Sequence, residues 1–338
     1  MAMTIYDISK KAGVSIATVS RVLNGSENVR PSTRKKVMDV IDKYDYTPNA
    51  FARGMGLHSL KTIGILCADS SDLFLAKAVY FLEQELQANG YESLLCCTGY
   101  NLDIKKNYLN LILSKKVDSI ILVGSNFIGS TEDENQYIKD VSTQVPIMLL
   151  NASFDYPNVY STLCDDYGTM FEATAEMIQA GITDILYLYD SKSYSGLKKL
   201  HGFRDAMKEH NIPGFEKLIH FYDGNIEHLD EIADFVAGIA KKGASFHGIM
   251  TSDDSLAIGS IKYAQKKGIR IPEDLSVMGY NNSMLTNCCT PELTSVDNRL
   301  ETQTHQLVQT LLGVLAGEEM PKKSIFSGKI IKRGTTLF

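Results

Sequence analysis

Within GVSIATVSRVLN, residues 13–24, Ser15, Ala17, Thr18, Ser20, Arg21 and Asn24 fall on one side of a short helical repeat. Ile16, Val19, Val22 and Leu23 recur behind them at helical spacing. A polar and basic face over an apolar stripe is a surface built to meet another molecule. An arginine there offers bidentate hydrogen bonds to guanine O6 and N7, whereas hydroxyls and amides suit phosphate oxygens or helix caps. The other residues able to do chemistry form no catalytic set. Asp253-Asp254 and Asp165-Asp166 are paired acids, but neighbours along a strand point to opposite faces and do not converge on one substrate. There is no G-x-S-x-G, no phosphate-cradling glycine loop and no metal-ligand spacing, and the seven histidines are scattered. The chain therefore reads as a non-enzyme needing neither cofactor nor metal.

The elements that must hold the reading face are short helices. Thr4 caps a first helix over TIYDISKKAG, with Ile5, Ile8 and Ala12 on one face, and Gly13 supplies the turn out of it. Ser15 caps the second. Two helices joined by a glycine turn make a helix-turn-helix, whose second helix fits a DNA major groove; spacing alone also fits an ordinary helical hairpin. Pro31-Ser32-Thr33 opens a third helix with Val37, Val40 and Ile41 inward, and Tyr44, Tyr46 and Pro48 close the unit. Residues 49–60 read as a hinge, because Gly54 and Gly56 each disfavour a helix by about 1 kcal/mol relative to Ala.

Charge separates this head from the rest. Residues 1–60 hold nine Lys and Arg against five acids, while the remainder carries 25 against 35. A basic head on an acidic body is the distribution of a DNA-contacting module attached to something that should not itself adhere to DNA. No apolar run approaches membrane-spanning length and the N-terminus has no apolar signal core, which predicts a cytosolic chain with no membrane partner. The six cysteines lack CxxC spacing, so reduced and mostly buried thiols are expected.

From Lys61 onward the texture becomes α/β. Apolar runs at 62–68, 92–97, 118–124, 146–151, 184–190, 218–223, 248–252 and 275–281 alternate with helical patterns at 76–89, 107–115, 168–180, 200–210, 226–241 and 255–267. Repeated βα units predict doubly wound parallel sheets, and this many strands predicts two lobes. Ligands in such folds sit at the carboxyl ends of the strands, which a two-lobed body would share as a cleft.

The head TIYDISKKAGVSIATVSRVLNG and TRKKVMDVIDKYDYTPNAFARGM, followed in order by VDSIILVGS, VPIMLLN, CDDYGTMFEA, KLHGFRDAM, GIMTSDDSLAIGSI, GIRIPEDLSVMGYNN, TPELTSVD and KIIKRGTT, resembles the lactose/galactose-repressor (LacI/GalR) family of bacterial transcription regulators over essentially the whole chain. The resemblance implies a small all-α helix-turn-helix domain (1–48), a hinge (49–60) and a core like the periplasmic sugar-binding proteins (61–338). It implies lobes of about 61–161 plus 293–320 and about 162–292 plus 321–338, joined by three crossovers near 161–163, 289–293 and 320–324. Family members work as homodimers, sometimes as dimers of dimers, on pseudo-palindromic operators, and the implied role is a repressor set by a small ligand between the lobes.

Residue by residue, the resemblance puts Ile16 and Ala17 at the main base-reading positions and Arg21 at the third, a set like that of the galactose and catabolite-control branches, which implies an operator with a central CG step. The DNA-contacting set is then Thr4, Ser15, Ile16, Ala17, Thr18, Ser20, Arg21, Asn24, Asn49 and Met55. Met55 stands where a leucine usually wedges into the minor groove. The cleft departs further from the pattern: Lys199 replaces an arginine before the LxGF-like motif, Asn281 an aspartate in GYNN, Asp253 the asparagine of an Asn-Asp pair, and Asn151 an aspartate after the fourth strand. With Ser71, Asp72, Phe74 and Ser125 these form the candidate effector set, Asp253 and Asn281 reading as an exchanged pair for a sugar or sugar derivative. Control by a partner protein, or a sugar-binding protein without DNA function, are the alternative readings; the second leaves residues 1–60 without a purpose.

Overall fold

The computed structural model describes residues 3–23, 26, 28–44, 46 and 59–338. In the head, α1 (Ile5–Ala12), α2 (Ile16–Leu23) and α3 (Pro31–Lys43) close around Ile8, Val19, Val22, Val37, Ile41 and Tyr46. Each such side chain contributes about 2 kcal/mol on burial, so a core of this size is thin. Gly13 ends α1 in the left-handed conformation, φ 67°, that a side chain disfavours. Thr4 and Asp7 form a capping box at the other end: the Asp7 N–H donates to Thr4 Oγ1 at 3.3 Å and the Thr4 N–H to Asp7 Oδ2 at 2.9 Å.

The body is two six-stranded sheets. Its elements run β1 (Thr62–Cys67), α4 (Leu73–Ala88), β2 (Glu92–Cys97), α5 (Leu102–Ser114), β3 (Ser119–Val123), α6 (Gln136–Ser142), β4 (Ile147–Leu150) and β5 (Val159–Cys164). They continue with α7 (Asp166–Gln179), β6 (Ile185–Tyr189), α8 (Tyr194–Glu209), β7 (Ile219–Phe221), α9 (Leu229–Lys241), β8 (Gly248–Thr251), α10 (Asp254–Lys267) and β9 (Ser276–Tyr280). The last are β10 (Thr294–Asp297), α11 (Leu300–Leu315), β11 (Lys323–Phe326) and β12 (Lys329–Ile331). The first sheet has the order β11-β5-β4-β3-β1-β2 and is parallel throughout. The second has the order β12-β10-β9-β8-β6-β7, parallel except where β12 pairs antiparallel with β10.

Strand alternation divides each lobe's interior between two helix layers. Ile63 and Ile65 pack with Leu82, Leu86, Leu307 and Leu311 on one side of the first sheet, while Leu66 meets Leu109, Ile112 and Ile138 on the other. In the second, Leu186 and Leu188 face α9 and α10, and Ile185 and Tyr187 face α7 and α8. Helices α7 and α8 approach closely at Gly202, where a Cβ would lie 2.3 Å from the Tyr167 carbonyl oxygen.

The doubly wound two-lobed architecture is the one expected, with three corrections. The chain passes between sheets after β5, after β10 and between β11 and β12, a few residues beyond 161–163, 289–293 and 320–324. Residues 294–297 therefore belong to the second sheet and 323–326 to the first. Strand β10 extends the second sheet beyond β9 before the chain leaves it, and β11 adds the edge of the first sheet before the last crossing. Second, the acid pairs lie at strand-to-helix junctions: Asp165 and Asp253 cap α7 and α10, and Asp166 and Asp254 begin them. Third, only Cys67 and Cys164 are buried; Cys96 and Cys289 are half-buried, and Cys97 and Cys288 exposed. Cys97 is open because β2 is an edge strand.

Candidate functional site

The reading helix is presented as its sequence requires. Ser15 Oγ accepts the Thr18 N–H at 3.2 Å and lies 2.9 Å from Thr18 Oγ1, which fixes the first turn of α2. Val19 and Val22 are buried beneath; Ser15, Ala17 and Arg21 are exposed, and Thr18 and Ser20 half-buried. Ile16 is 39% exposed and so stands on the outer face, not in the buried stripe with Val19 and Val22. One helical turn before Ser20, it projects beyond the small three-helix core. Thr4 is an exposed cap whose hydroxyl donates to Asp7 Oδ2 at 2.6 Å, and that bond holds the Asp7 carboxyl below its ordinary range. Asn24, Asn49 and Met55 lie outside the described residues.

The second site is a cleft between the lobes. An inner cavity of about 150 Å³ is lined by Asp72, Phe74, Ser125, Asn151, Lys199, Asp253 and Asn281 together with residues the sequence did not single out, among them Tyr100, Asn126, Asp190, Ser193 and Ser195. Ser71 lies apart from these, in an outer mouth of about 520 Å³ that shares Asp72, Tyr100, Asp190 and Asp253 with the cavity. Its hydroxyl and N–H both donate to Asp69 Oδ1 at 2.8 Å, which turns it outward.

Each lining residue is set by the end of an element. Asp72 caps α4, accepting the Leu75 N–H at 2.8 Å, and burial raises its carboxyl above the ordinary range. Asn151, just past β4, takes φ 63°. Asp253 Oδ1 accepts the Ser255 N–H at 2.7 Å and Oδ2 accepts the Asn281 amide at 2.9 Å. The Asn298 amide donates to Asn281 Oδ1 at 3.0 Å, and the Gln303 amide to the Asn298 carbonyl at 2.5 Å, so a polar chain runs from the cleft wall into α11. Burial, then the neighbouring Asp190 and Asp254, push Asp253 up to about 7. Asp190, at the carboxyl end of β6, accepts the Ser252 hydroxyl at 2.7 Å. Its position as the last residue of DILYLYD was the available signal, since ligands gather at the ends of parallel strands.

Lys199 enters from α8. Buried to all but 7%, it donates from Nζ to the Ser252 carbonyl at 3.0 Å and stands 3.9 Å over the Tyr280 ring. Beneath it Asp166 accepts the Ser195 hydroxyl at 2.5 Å and the Tyr280 hydroxyl at 2.7 Å; burial raises this carboxyl, and the Lys199 charge opposes the rise. Three carboxylates, Asp72, Asp190 and Asp253, thus face the cavity against the single ammonium of its lining. No histidine or cysteine lines either cavity. The arrangement can accept hydrogen bonds from several hydroxyls and stack a ring on Phe74 or Tyr100. An anionic ligand would meet mutual repulsion there.

Residues 4–49 match the family model of bacterial regulatory proteins, lacI family, and residues 174–336 that of the periplasmic binding protein-like domain. Over 336 residues, covering 99% of this chain and all of the relative, the sequence is 50% identical to an HTH-type transcriptional regulator of Lachnoclostridium phytofermentans. The chain belongs to the lacI family of bacterial regulatory proteins. This LacI-family regulator is also 33% identical to catabolite control protein A of Priestia megaterium, across 88% of this chain and 87% of that one. Its fold matches the crystal structure of the Lac repressor dimer bound to operator and the anti-inducer ONPF, with a TM-score of 0.88 at 21% identity and full coverage of both chains. The LacI-family head makes it a DNA-binding transcriptional regulator. Among the described residues no helix is long and apolar enough to cross a membrane, and no group of three or more His, Cys, Asp or Glu is positioned to hold a metal ion.

Proposed function

We propose that this regulator is a cytoplasmic repressor that binds a pseudo-palindromic operator with a central CG step as a homodimer, and releases or grips it according to an uncharged polyhydroxylated ligand, a sugar or sugar derivative, held between the lobes. In this reading residues 1–48 read the DNA, 49–60 form the hinge that Met55 wedges into the minor groove, and the core senses the ligand. Ile16, Ala17 and Arg21 read bases. Thr4, Ser15, Thr18, Ser20, Asn24 and Asn49 position the head on phosphates. The observation that carries the ligand class is the carboxylate-rich cavity with Asp253 and Asn281 joined edge to edge. Carboxylates and amides accept and donate to sugar hydroxyls in fixed directions, and the excess of negative charge disfavours phosphorylated sugars.

The test is a thermal-shift panel of neutral mono- and disaccharides, sugar phosphates and sugar acids on the full chain, followed by anisotropy titration of a selected operator. A neutral sugar should raise the melting temperature and change operator affinity, whereas an exclusive response to sugar phosphates sinks the reading. A second reading, control by a partner protein, is supported by a groove of about 600 Å³ between α4 and the start of α11. Leu73, Lys77, Tyr80, Met284 and Arg299 line it, with Tyr80 and Met284 well exposed. Silence across the whole panel, with operator binding intact, favours that reading.

A further inference from the structure

Apart from the cleft lining, the carboxyl ends of β1 and β2 set two thiols side by side. Cys67 and Cys97 are register partners in the parallel ladder, and their Sγ atoms lie 3.8 Å apart. Neighbouring strands run about 4.8 Å apart, within the Cα separation of about 4.4–6.8 Å that a disulfide spans. To bond, the sulfurs must close from 3.8 Å to about 2.05 Å. Cys96, next to Cys97 in sequence, points through the opposite face of the sheet into the other core.

The two thiols differ in access: Cys97 is exposed, and Cys67 is wholly buried among Ile65, Leu75 and Val123. Backbone bonds hold the two chains together just beyond them. The Thr98 N–H donates to the Cys67 carbonyl and the Gly99 N–H to the Ala68 carbonyl, each at 2.9 Å. Both chains then run directly into the mouth of the cleft, β1 through Asp69 and Asp72 and β2 through Tyr100.

We propose that Cys67 and Cys97 form an oxidant-sensitive pair that closes to an intrachain disulfide when a hydroperoxide reaches Cys97. The Cys97 sulfur attacks one peroxide oxygen and the O–O bond breaks. The departing oxygen leaves as an alcohol, or as water from hydrogen peroxide, and Cys97 becomes a sulfenic acid. The Cys67 sulfur then attacks the Cys97 sulfur, the S–S bond forms, the S–O bond breaks, and hydroxide leaves with the Cys67 proton as water. Two thiols give up two electrons and the peroxide takes them. Burial pushes the Cys67 thiol up to about 12, which leaves the first attack to exposed Cys97; only the 3.8 Å placement of its sulfur beside Cys97 gives Cys67 the second step. The bond ties the two strands beneath the cleft mouth, so oxidation acts on the ligand-sensing domain and not on the head.

The experiment treats the reduced full-length chain with hydrogen peroxide, alkylates what remains and maps the peptides. Two of the six thiols should become unreactive and return with dithiothreitol, the peptides holding Cys67 and Cys97 should appear joined with a mass lower by two hydrogens, and no covalently linked dimer should appear on a denaturing, non-reducing gel. Cys97→Ser, at an exposed position, should abolish the loss, and Cys288→Ser should leave it unchanged. Cys97 ending as a sulfinic acid without a cross-link, a disulfide joining two chains, or the same thiol loss in Cys97→Ser would each overturn the proposal.

Discussion

Ser125, from the lobe of the first sheet, donates its hydroxyl to Ser193 Oγ, from the lobe of the second, across 2.8 Å. The Ser191 hydroxyl donates to the same Ser193 oxygen at 2.8 Å, so a short hydroxyl chain spans the cavity. This bond exists only while the lobes are close. Replacing Ser125 with Ala should leave the melting temperature nearly unchanged while shifting the lobe equilibrium by about 1 kcal/mol, the net worth of one such bond. Ligand affinity by calorimetry should therefore move about fivefold. A change in melting temperature without a change in affinity would assign Ser125 to local packing instead.

Lys199→Met keeps the stem's volume and removes the charge that faces Asp166 and the donor to the Ser252 carbonyl. Left with a buried acceptor unpaired, the variant should lose about 2 kcal/mol in urea unfolding. Its capacity to bind a neutral sugar should fall with it. Full stability would mean that water replaces the ammonium.

Acid should stabilise this core locally. The carboxyl of Asp253 is raised to about 7 and that of Asp254 to about 6, both above the ordinary value of 3.8. The folded chain thus holds protons that the unfolded chain has already lost, and stability falls as pH rises from about 4 to about 7. Melting temperature plotted against pH should show this slope, and Asp253→Asn should flatten its upper part. An unchanged slope in the variant would remove Asp253 from the account.

On the head, Arg21→Ala should weaken binding to the selected operator by about 1–3 kcal/mol and relax the preference at one base pair in each half-site. Lys35→Ala, on the outer face of α3, should weaken all DNA about equally and reduce the salt dependence. Competition titrations at two salt concentrations separate the two. Uniform loss in Arg21→Ala would make it a phosphate contact.

The fold was legible where side chains sort cleanly by polarity. TIGILC, SIILV, ILYLY and SVMGY are nearly uninterrupted apolar runs, because strands covered on both faces have no wet side. What escaped notice is polar at positions that are nonetheless buried. Helix α11 encloses Gln303, Thr304 and Thr310, which break its apolar stripe, and each is held by a hydrogen bond invisible to spacing. Strand β11 is an edge strand with alternately exposed residues, too short for a period to emerge. In the cleft, Asp190 was hidden by its ordinariness, one more acid after a strand; only the register of β6 beside β8 brings it against Ser252 and Asp253. Ser71, next to the Asp72 cap, lines the outer mouth of the cleft and not the inner cavity, a distinction that spacing does not carry.

The last strands carry a consequence for how the molecule is made. Strand β11 closes the edge of the first sheet and β12, a few residues later, that of the second. Neither lobe is complete until residues 323–331 have left the ribosome, so both mature together. A premature stop anywhere before residue 323 would spoil both halves at once. For the same reason no single recombination point can exchange one lobe for a relative's. The head, in contrast, is one contiguous block that a single crossover can exchange.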